Sequence, residues 1–149
     1  MASGDSCPRC GLRHRDESAC PAWLVGRTLA GHFSVVRLVG AGGTAAVYKA
    51  QNTAIGRFVA LKVLYSHLCG DRAAVERFER EGRTMSCVCH EGVVDVLDLV
   101  TAEDGALMLV LEYVRARTLS ADIRRGGPFA SPRAMDLMGL ALLVFSVVL

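Results

Sequence analysis

The feature that most constrains the fold of this chain is a glycine-rich break between two alternating apolar runs. Residues 38–50 read LVGAGGTAAVYKA. Apolar residues alternate from Phe33 onward, as they do in a half-buried strand, and a second strand is predicted at 46–51. Glycines interrupt strands and allow tight turns, so we expect an antiparallel hairpin with a glycine-rich turn. One face of its first strand is expected to carry Phe33, Val35, Arg37 and Val39.

Further along the chain, the apolar pattern predicts three more strands and one long helix. The strands are expected at 58–64, 93–100 and 107–114, the last two joined by a turn that contains Asp104 and Gly105. Asp71 is a suitable N-cap for a helix that runs to about Val88. Its apolar stripe has helical spacing. The stripe consists of Val75, Phe78, Gly82 and Met85.

The order of elements predicts an α+β fold: a five-stranded antiparallel sheet with one helix on a face. Two further helices are predicted at 119–125 and 132–149, the second with Ser131 as its cap and Pro132 at its first position. Residues 1–25 are more polar and rich in cysteine, so we treat them as a separate segment. A linker is expected at 26–32, followed by one domain at 33–149.

Composition narrows the class of protein and the kinds of partner. Of the 149 residues, 52% are hydrophobic and 21% are charged, which argues against a disordered chain. The net charge is only +2, with no run of basic residues, so nucleic acid is not expected as a partner. No secretory leader is visible, which favours a cytoplasmic protein with reduced cysteines. Residues 137–149 are uncharged but shorter than the roughly 20 residues of a membrane helix.

The candidate chemistry lies in the glycine-rich turn and in a lysine of the following strand. Gly40, Gly42 and Gly43 would let backbone N–H groups approach an anion closely. Lys62, between Leu and Val in the third strand, would supply the cation that phosphate requires. A partly buried ammonium group needs a partner. Glu81 is the expected one, because it follows Phe78 by three residues and lies at the edge of the helical stripe.

These residues occur in an order that resembles the N-terminal lobe of a protein kinase of the bacterial serine/threonine type. The glycine-rich loop GxGxxGxV of that family is matched by Gly40, Gly42, Ala45 and Val47. The lysine motif of the family is matched by VALK at 59–62, and the helix motif by RFEREG at 77–82. The hinge motif is matched by LEYV at 111–114, and the segment before the fourth strand loosely by HEGVV at 90–94.

The resemblance implies that ATP is bound, with Mg²⁺ in the full-length family, and that protein hydroxyls are phosphorylated. Lys62 would contact the α- and β-phosphates while paired with Glu81. Val39, Val47 and Ala60 would cover adenine, Leu111 would be the gatekeeper, and the backbone of Glu112 and Val114 would bond the adenine edge. The nucleotide-binding set that it implies is Val39, Gly40, Ala41, Gly42, Gly43, Thr44, Ala45, Val47, Ala60, Lys62, Leu111, Glu112, Tyr113 and Val114.

The same resemblance predicts an N-lobe at 33–114 and a hinge with the start of a C-lobe at 115–149. Within the 149 residues, neither an HRD nor a DFG motif follows the hinge motif, so we expect no phosphoryl transfer by this chain alone. A non-catalytic binding or regulatory module, docked on a partner kinase, is the alternative. The apolar last helix would favour self-association, and membrane association through residues 139–149 is not favoured.

The cysteines near the N-terminus suggest a metal site. Cys7 and Cys10 have the two-residue spacing of a zinc knuckle, and Cys20 and His14 could complete four ligands for Zn²⁺. Trp23 stands where a fourth cysteine would give a second Cys-x-x-Cys pair. A degenerate zinc ribbon without metal, or a flexible leader, is therefore an open alternative.

Overall fold

One antiparallel sheet with a single α-helix packed on it forms the part of the chain that the computed structural model describes, residues 20–90 and 92–115. Short 3₁₀ turns lie at Pro21–Leu24 and Ser66–Leu68. The strands are β1 Thr28–Leu29, β2 Phe33–Ala41, β3 Ala45–Asn52, β4 Arg57–Leu64, β5 Val96–Thr101 and β6 Leu107–Glu112, and the helix is α1 Arg72–Ser86. The order across the sheet is β1-β2-β3-β4-β6-β5.

The sheet has six strands, so the prediction of five was wrong. The additional strand, β1, lies inside the segment that the sequence indicated as a linker. It pairs Thr28 with Ser34 and Leu29 with Phe33. Backbone bonds from Gly26 N to Val35 O (2.9 Å) and from Val35 N to Arg27 O (2.8 Å) extend the pairing. Two residues are too few to show the alternation by which a strand is recognised in a sequence.

Cross-strand register places the key residues in two rows on one face of the sheet. The first row runs from Gly40 through Val47 and Lys62 to Leu109, and the second from Arg37 through Lys49 and Ala60 to Leu111. Directly opposite residues of an antiparallel pair share a face. The glycine that opens the β2–β3 turn is therefore in line with Lys62, two strands away.

Strand β2 departs from the predicted pattern because its ladder is irregular. The register shifts between Val35 and Arg37, and again between Leu38 and Gly40. An extra residue in one strand reverses the face of every residue beyond it. Val35 is buried whereas Arg37 is exposed, so the expectation that these two residues share a face was wrong.

Each face of the sheet carries its own core. The outer core includes Val35, Tyr48, Leu61 and Met108, and the side chain of Leu24 from the N-terminal turn packs against it. The core under the helix consists of Ala45, Leu64, Phe78, Leu107, Leu109 and Leu111. Successive residues of β4 and β6 point alternately into the two cores. Both faces of these central strands therefore contribute to a core, which explains why their sequences are continuous apolar runs.

Helix α1 begins and packs as the sequence predicts. Asp71 is the N-cap, and its carboxylate accepts hydrogen bonds from Ala73 N (2.9 Å) and Ala74 N (3.4 Å). Phe78 and Gly82 are its buried residues. At Gly82 a Cβ would lie only 2.4 Å from Leu109 Cδ2. The missing side chain therefore sets how closely the helix approaches β6.

The other predicted elements have different outcomes. Strands β3, β4 and β6 lie within two residues of their predicted bounds, whereas β5 begins at Val96, three residues later than predicted. The turn before β6 has Gly105 at φ 81°, a left-handed conformation that suits glycine. The two helices predicted at 119–125 and 132–149 lie outside the described residues.

Candidate functional site

The centre of the candidate site is an ion pair between strand β4 and helix α1. Lys62 Nζ donates a hydrogen bond to Glu81 Oε1, and the two side chains are 22% and 23% exposed. The sequence predicted these two residues as partners. Their partial exposure leaves the ammonium group accessible on the face of the sheet that carries the helix, while the carboxylate provides its counter-charge.

Two elements fix the geometry of this pair. Lys62 lies in β4, which is hydrogen-bonded to β3 on one side and to β6 on the other. Glu81 lies one turn beyond Phe78, whose ring is buried against the sheet and lies 5.7 Å from Lys62 Nζ. Residues three apart occupy the same face of a helix, so the packing of Phe78 directs Glu81 toward the lysine.

The glycine-rich turn between β2 and β3 is closed by its own backbone. Gly42 N donates to Ala45 O at 2.9 Å. A Cβ added at Gly40 or Gly43 would meet nothing within 4 Å. The space beside these two glycines is therefore open, which leaves the backbone of the turn accessible to a ligand.

Tyr65 fastens this turn to the end of β4, a role that the sequence did not indicate. Its hydroxyl donates to Gly42 O at 3.1 Å, and its backbone N–H donates to Thr44 O at 3.0 Å. The ring of His67 stacks on the tyrosine ring at 5.7 Å. Tyr65 follows the strand by one residue and belongs to no motif, so only the folded structure reveals the contact.

Ala45, which occupies the third glycine position of the expected loop motif, has a structural reason to be alanine. It is the first residue of β3, it is paired with Leu64, and it is buried in the core under the helix. Its methyl group packs toward the sheet core. The substitution therefore contributes apolar contact at the base of the turn.

The expected roof of the nucleotide pocket is partly assembled on the face that carries Lys62. Val47 and Ala60 are half-buried and lie in the two rows described above. Leu111 is nearly buried and is paired with Ala60. Val39 lies where the register of β2 shifts and is 43% exposed. Ala60, Val47 and Leu111 form an apolar surface beside the lysine, with Val39 at its edge.

The expected hinge residues follow directly on the sheet. Strand β6 ends at Glu112, whose N–H donates to Asp95 O at 2.9 Å. Tyr113 and Val114 lie beyond the strand, and Val114 is exposed. The hydroxyl of Tyr113 accepts a hydrogen bond from Arg37 Nη2 at 3.2 Å. A side-chain contact therefore joins the segment after β6 to strand β2.

The predicted zinc ligands are only partly described. Cys7, Cys10 and His14 lie outside the described residues, and Cys20 is buried. Among residues 20–90 and 92–115, no group of three or more potential ligands is placed to hold a metal ion. The zinc site stays a prediction from the sequence.

No helix in the described part of the chain is both long enough and apolar enough to cross a membrane. The apolar segment at 139–149, for which the sequence raised membrane association, lies outside the described residues. The cytoplasmic location stays an expectation from the sequence.

Comparison with known proteins agrees with this geometry. A family model for the protein kinase domain matches residues 33–144. The chain is 34% identical over 115 residues to the serine/threonine-protein kinase PrkC of Bacillus subtilis, an alignment that covers 77% of the chain and 18% of PrkC. It is 35% identical over 122 residues to the serine/threonine-protein kinase pkn3 of Myxococcus xanthus, covering 82% of the chain and 22% of pkn3.

Solved structures give the same fold. The crystal structure of the Mycobacterium tuberculosis PknI kinase domain matches with a TM-score of 0.63 at 23% identity, covering 83% of the chain and 50% of that structure. The chain spans about a fifth of the length of the two curated relatives named above. The family match covers most of the chain, and the ion pair, the glycine-rich turn and strands β2 to β6 lie within it. The chain belongs to the protein kinase family.

Proposed function

We propose that residues 33–114 form the nucleotide-binding lobe of a serine/threonine protein kinase that uses ATP. The observation that carries the proposal is the Lys62–Glu81 ion pair in register with the glycine-rich turn. A cation held at a fixed position beside accessible backbone N–H groups suits an anionic ligand. The curated relatives are named as serine/threonine kinases, which supports the same substrate class here.

The described residues have the chemistry that ATP requires. Lys62 would neutralise phosphate oxygens, and Glu81 would keep its ammonium group in place when no ligand is bound. Gly40 and Gly43 would let the backbone of the turn approach the phosphates, since a Cβ at either position would project into open space beside the turn. The apolar surface of Val47, Ala60 and Leu111 would accept the adenine ring.

Phosphoryl transfer needs positioning groups that the described residues do not include. Mg²⁺, when bound in the family, neutralises charge on the phosphates. Within the 149 residues, no HRD or DFG motif follows the hinge residues to orient a hydroxyl group or hold that ion. We therefore expect the chain by itself to bind nucleotide weakly and to transfer no phosphate. Transfer of radiolabel from ATP to a generic protein substrate, lost in Lys62→Met, would contradict this.

Nucleotide binding tests the proposal directly. Titration of the ¹⁵N-labelled chain with ATP, followed by NMR, is expected to shift the amide signals of the turn at 40–44 and of Lys62. Lys62→Met is expected to weaken the affinity by about tenfold, because a hydrogen bond to a charged group contributes roughly 1.5–3 kcal/mol. Glu81→Gln should weaken it less, since the cation itself is retained.

Arg72→Met is the matched control. Arg72 is a 93% exposed cation whose ion pair within residues 20–90 and 92–115 is with Glu76 on the same helix, so its loss should leave ATP binding unchanged. A chain whose amide signals do not respond to ATP, or whose affinity is the same in Lys62→Met, would refute the nucleotide role. That result would favour the alternative of a non-catalytic binding module.

A further inference from the structure

A cluster of cations on the side of the sheet near β2 has aromatic groups as its partners. The guanidinium of Arg27 lies 4.2 Å from the ring centre of Trp23. The ammonium of Lys49 lies 4.0 Å from the centre of Phe58 and 5.1 Å from that of Tyr113. The cationic–aromatic surface, as we define it, comprises Arg27, Arg37, Lys49 and Arg115 together with Trp23, Phe58 and Tyr113.

None of these four cations takes part in an ion pair within the described residues. The ion pairs of residues 20–90 and 92–115 involve Lys62, Arg72 and Arg83. Arg37 instead donates to the hydroxyl of Tyr113, and Arg115 lies 6.0 Å from the ring centre of Phe58. The surface therefore carries positive charge that carboxylates of this part of the chain do not neutralise.

The placement of two of these cations is unfavourable for the fold itself. Arg37 and Lys49 are directly paired across β2 and β3. Like charges at directly opposite positions destabilise an antiparallel pair. An anion bound between them would remove that repulsion, so the arrangement favours the bound state of a negatively charged partner.

A groove lies next to the cationic–aromatic surface and provides a concave site for a partner. It has a volume of about 590 Å³ and is lined by Ala22, Trp23, Val25, Arg27, Arg37 and Leu38. Arg37 belongs both to this groove and to the contact with Tyr113. Strand β1 and the two residues before it are bonded to β2 only as far as Val35 within the described residues, so the groove lies along the part of β2 beyond that point. An extended segment of another chain could lie there.

We propose that the cationic–aromatic surface and its groove bind an acidic, extended peptide segment of a protein partner. Carboxylates would pair with the guanidinium groups of Arg27 and Arg37, which favour planar, two-point contacts. Apolar side chains of the same segment would pack on Val25 and Leu38. The peptide would thus run along the edge of β2 toward the hinge.

The structure argues against single-stranded nucleic acid as the partner. Such chains bind through bases stacked on open aromatic faces. Here one face of Trp23 is already covered by Arg27, and one face of Phe58 by Lys49. The cations on these rings keep N–H groups for carboxylates, and each cation occupies one of the two ring faces on which a base would stack.

Fluorescence anisotropy of labelled probes tests the proposal on the 149-residue chain. The probe is a peptide of alternating Glu and Ala, compared with its Gln–Ala counterpart, a phosphoserine version and an oligothymidine of similar length. We expect the Glu–Ala peptide to bind more tightly than the Gln–Ala peptide, with affinity that falls as salt is added. Arg37→Gln combined with Lys49→Gln should weaken its binding by about tenfold or more.

Matched controls separate the surface from general positive charge. Arg72→Gln combined with Arg83→Gln removes two cations from helix α1 that are 93% and 73% exposed, and should leave peptide binding unchanged. Arg37→Gln should also leave the melting temperature unchanged or raise it, because it removes a like-charge pair. Tighter binding of the phosphoserine peptide would identify phosphate as the favoured anion within the same peptide class.

Three results would overturn the proposal. The first is equal binding of the Glu–Ala and Gln–Ala peptides, or no binding of either. The second is an equal loss of binding in the helix control. The third is tighter binding of oligothymidine than of the acidic peptides, which would assign the surface to nucleic acid.

Discussion

The close approach of helix α1 to strand β6 at Gly82 makes a specific energetic prediction. A methyl group at this position would lie 2.4 Å from Leu109 Cδ2, and Leu109 is fully buried. In an exposed helix interior, Gly→Ala stabilises a protein by about 1 kcal/mol through helix propensity. Inserting a group into a packed core costs roughly 1–3 kcal/mol. For Gly82→Ala the second effect should prevail, leaving a net destabilisation of about 0–2 kcal/mol.

The sign of this effect should reverse when the obstructing side chain is removed. Leu109→Ala alone is expected to destabilise the chain by about 2–5 kcal/mol, because it leaves a cavity between helix and sheet. In that background the methyl group of Gly82→Ala has room, and it partly fills the cavity. The same substitution should then stabilise the protein by about 1 kcal/mol, which gives a coupling energy of roughly 1–3 kcal/mol.

Urea denaturation of the four proteins, followed by circular dichroism, measures this cycle. The propensity term has its own control on the same helix: Arg77 is exposed, so the difference between Arg77→Ala and Arg77→Gly reports the alanine preference without any contact to Leu109. If Gly82→Ala were equally stabilising with and without Leu109, the close packing of helix and sheet would be refuted.

Two other contacts lead to further predictions. Asp71→Ala should lower the free energy of unfolding by about 1 kcal/mol, because the N-cap bonds to Ala73 and Ala74 are lost. Thermal denaturation measures this loss. An equal loss in Asp71→Asn, which retains a capping oxygen, would contradict the prediction. Tyr65→Phe removes the hydroxyl bond to Gly42 O and should speed amide hydrogen exchange in the β2–β3 turn while changing the unfolding free energy by only about 0.5–1.5 kcal/mol. Tyr48→Phe is the control for Tyr65→Phe, since it loses a hydroxyl bond to Pro21 O on the other face of the sheet. If amide hydrogen exchange in the β2–β3 turn were unchanged in Tyr65→Phe, Tyr65 would not hold the turn in place.

The sequence was sufficient to predict the ion pair because periodicity alone carries the information. Lys62 interrupts an apolar strand, and Glu81 lies at the edge of a stripe defined by Phe78 and Gly82. These positions require only that β4 be a strand and α1 a helix, and both are long, regular elements. Local pattern and tertiary packing agree at this site.

The features that the sequence did not predict depend on pairing between distant segments. The register shift near Val36 is set by how β2 and β3 pair, and it decides that Arg37 lies on the same face as Lys49. The bond from Tyr65 to Gly42 joins residues 23 positions apart. Neither feature produces a repeating pattern of apolar residues in the sequence, so composition and spacing could not predict them.

The position of β4 in the sheet decides which half of the ion pair can move. The backbone of Lys62 is bonded to strands on both sides, whereas α1 meets the sheet through the side chains of Phe78 and a few neighbours. Separating the strands would break two hydrogen-bonded ladders, but tilting the helix would break only side-chain contacts. Any event that separates the two charges must therefore move the helix. Lys62 keeps its position in the sheet, so the distance from Lys62 to Glu81 reports the displacement of the helix.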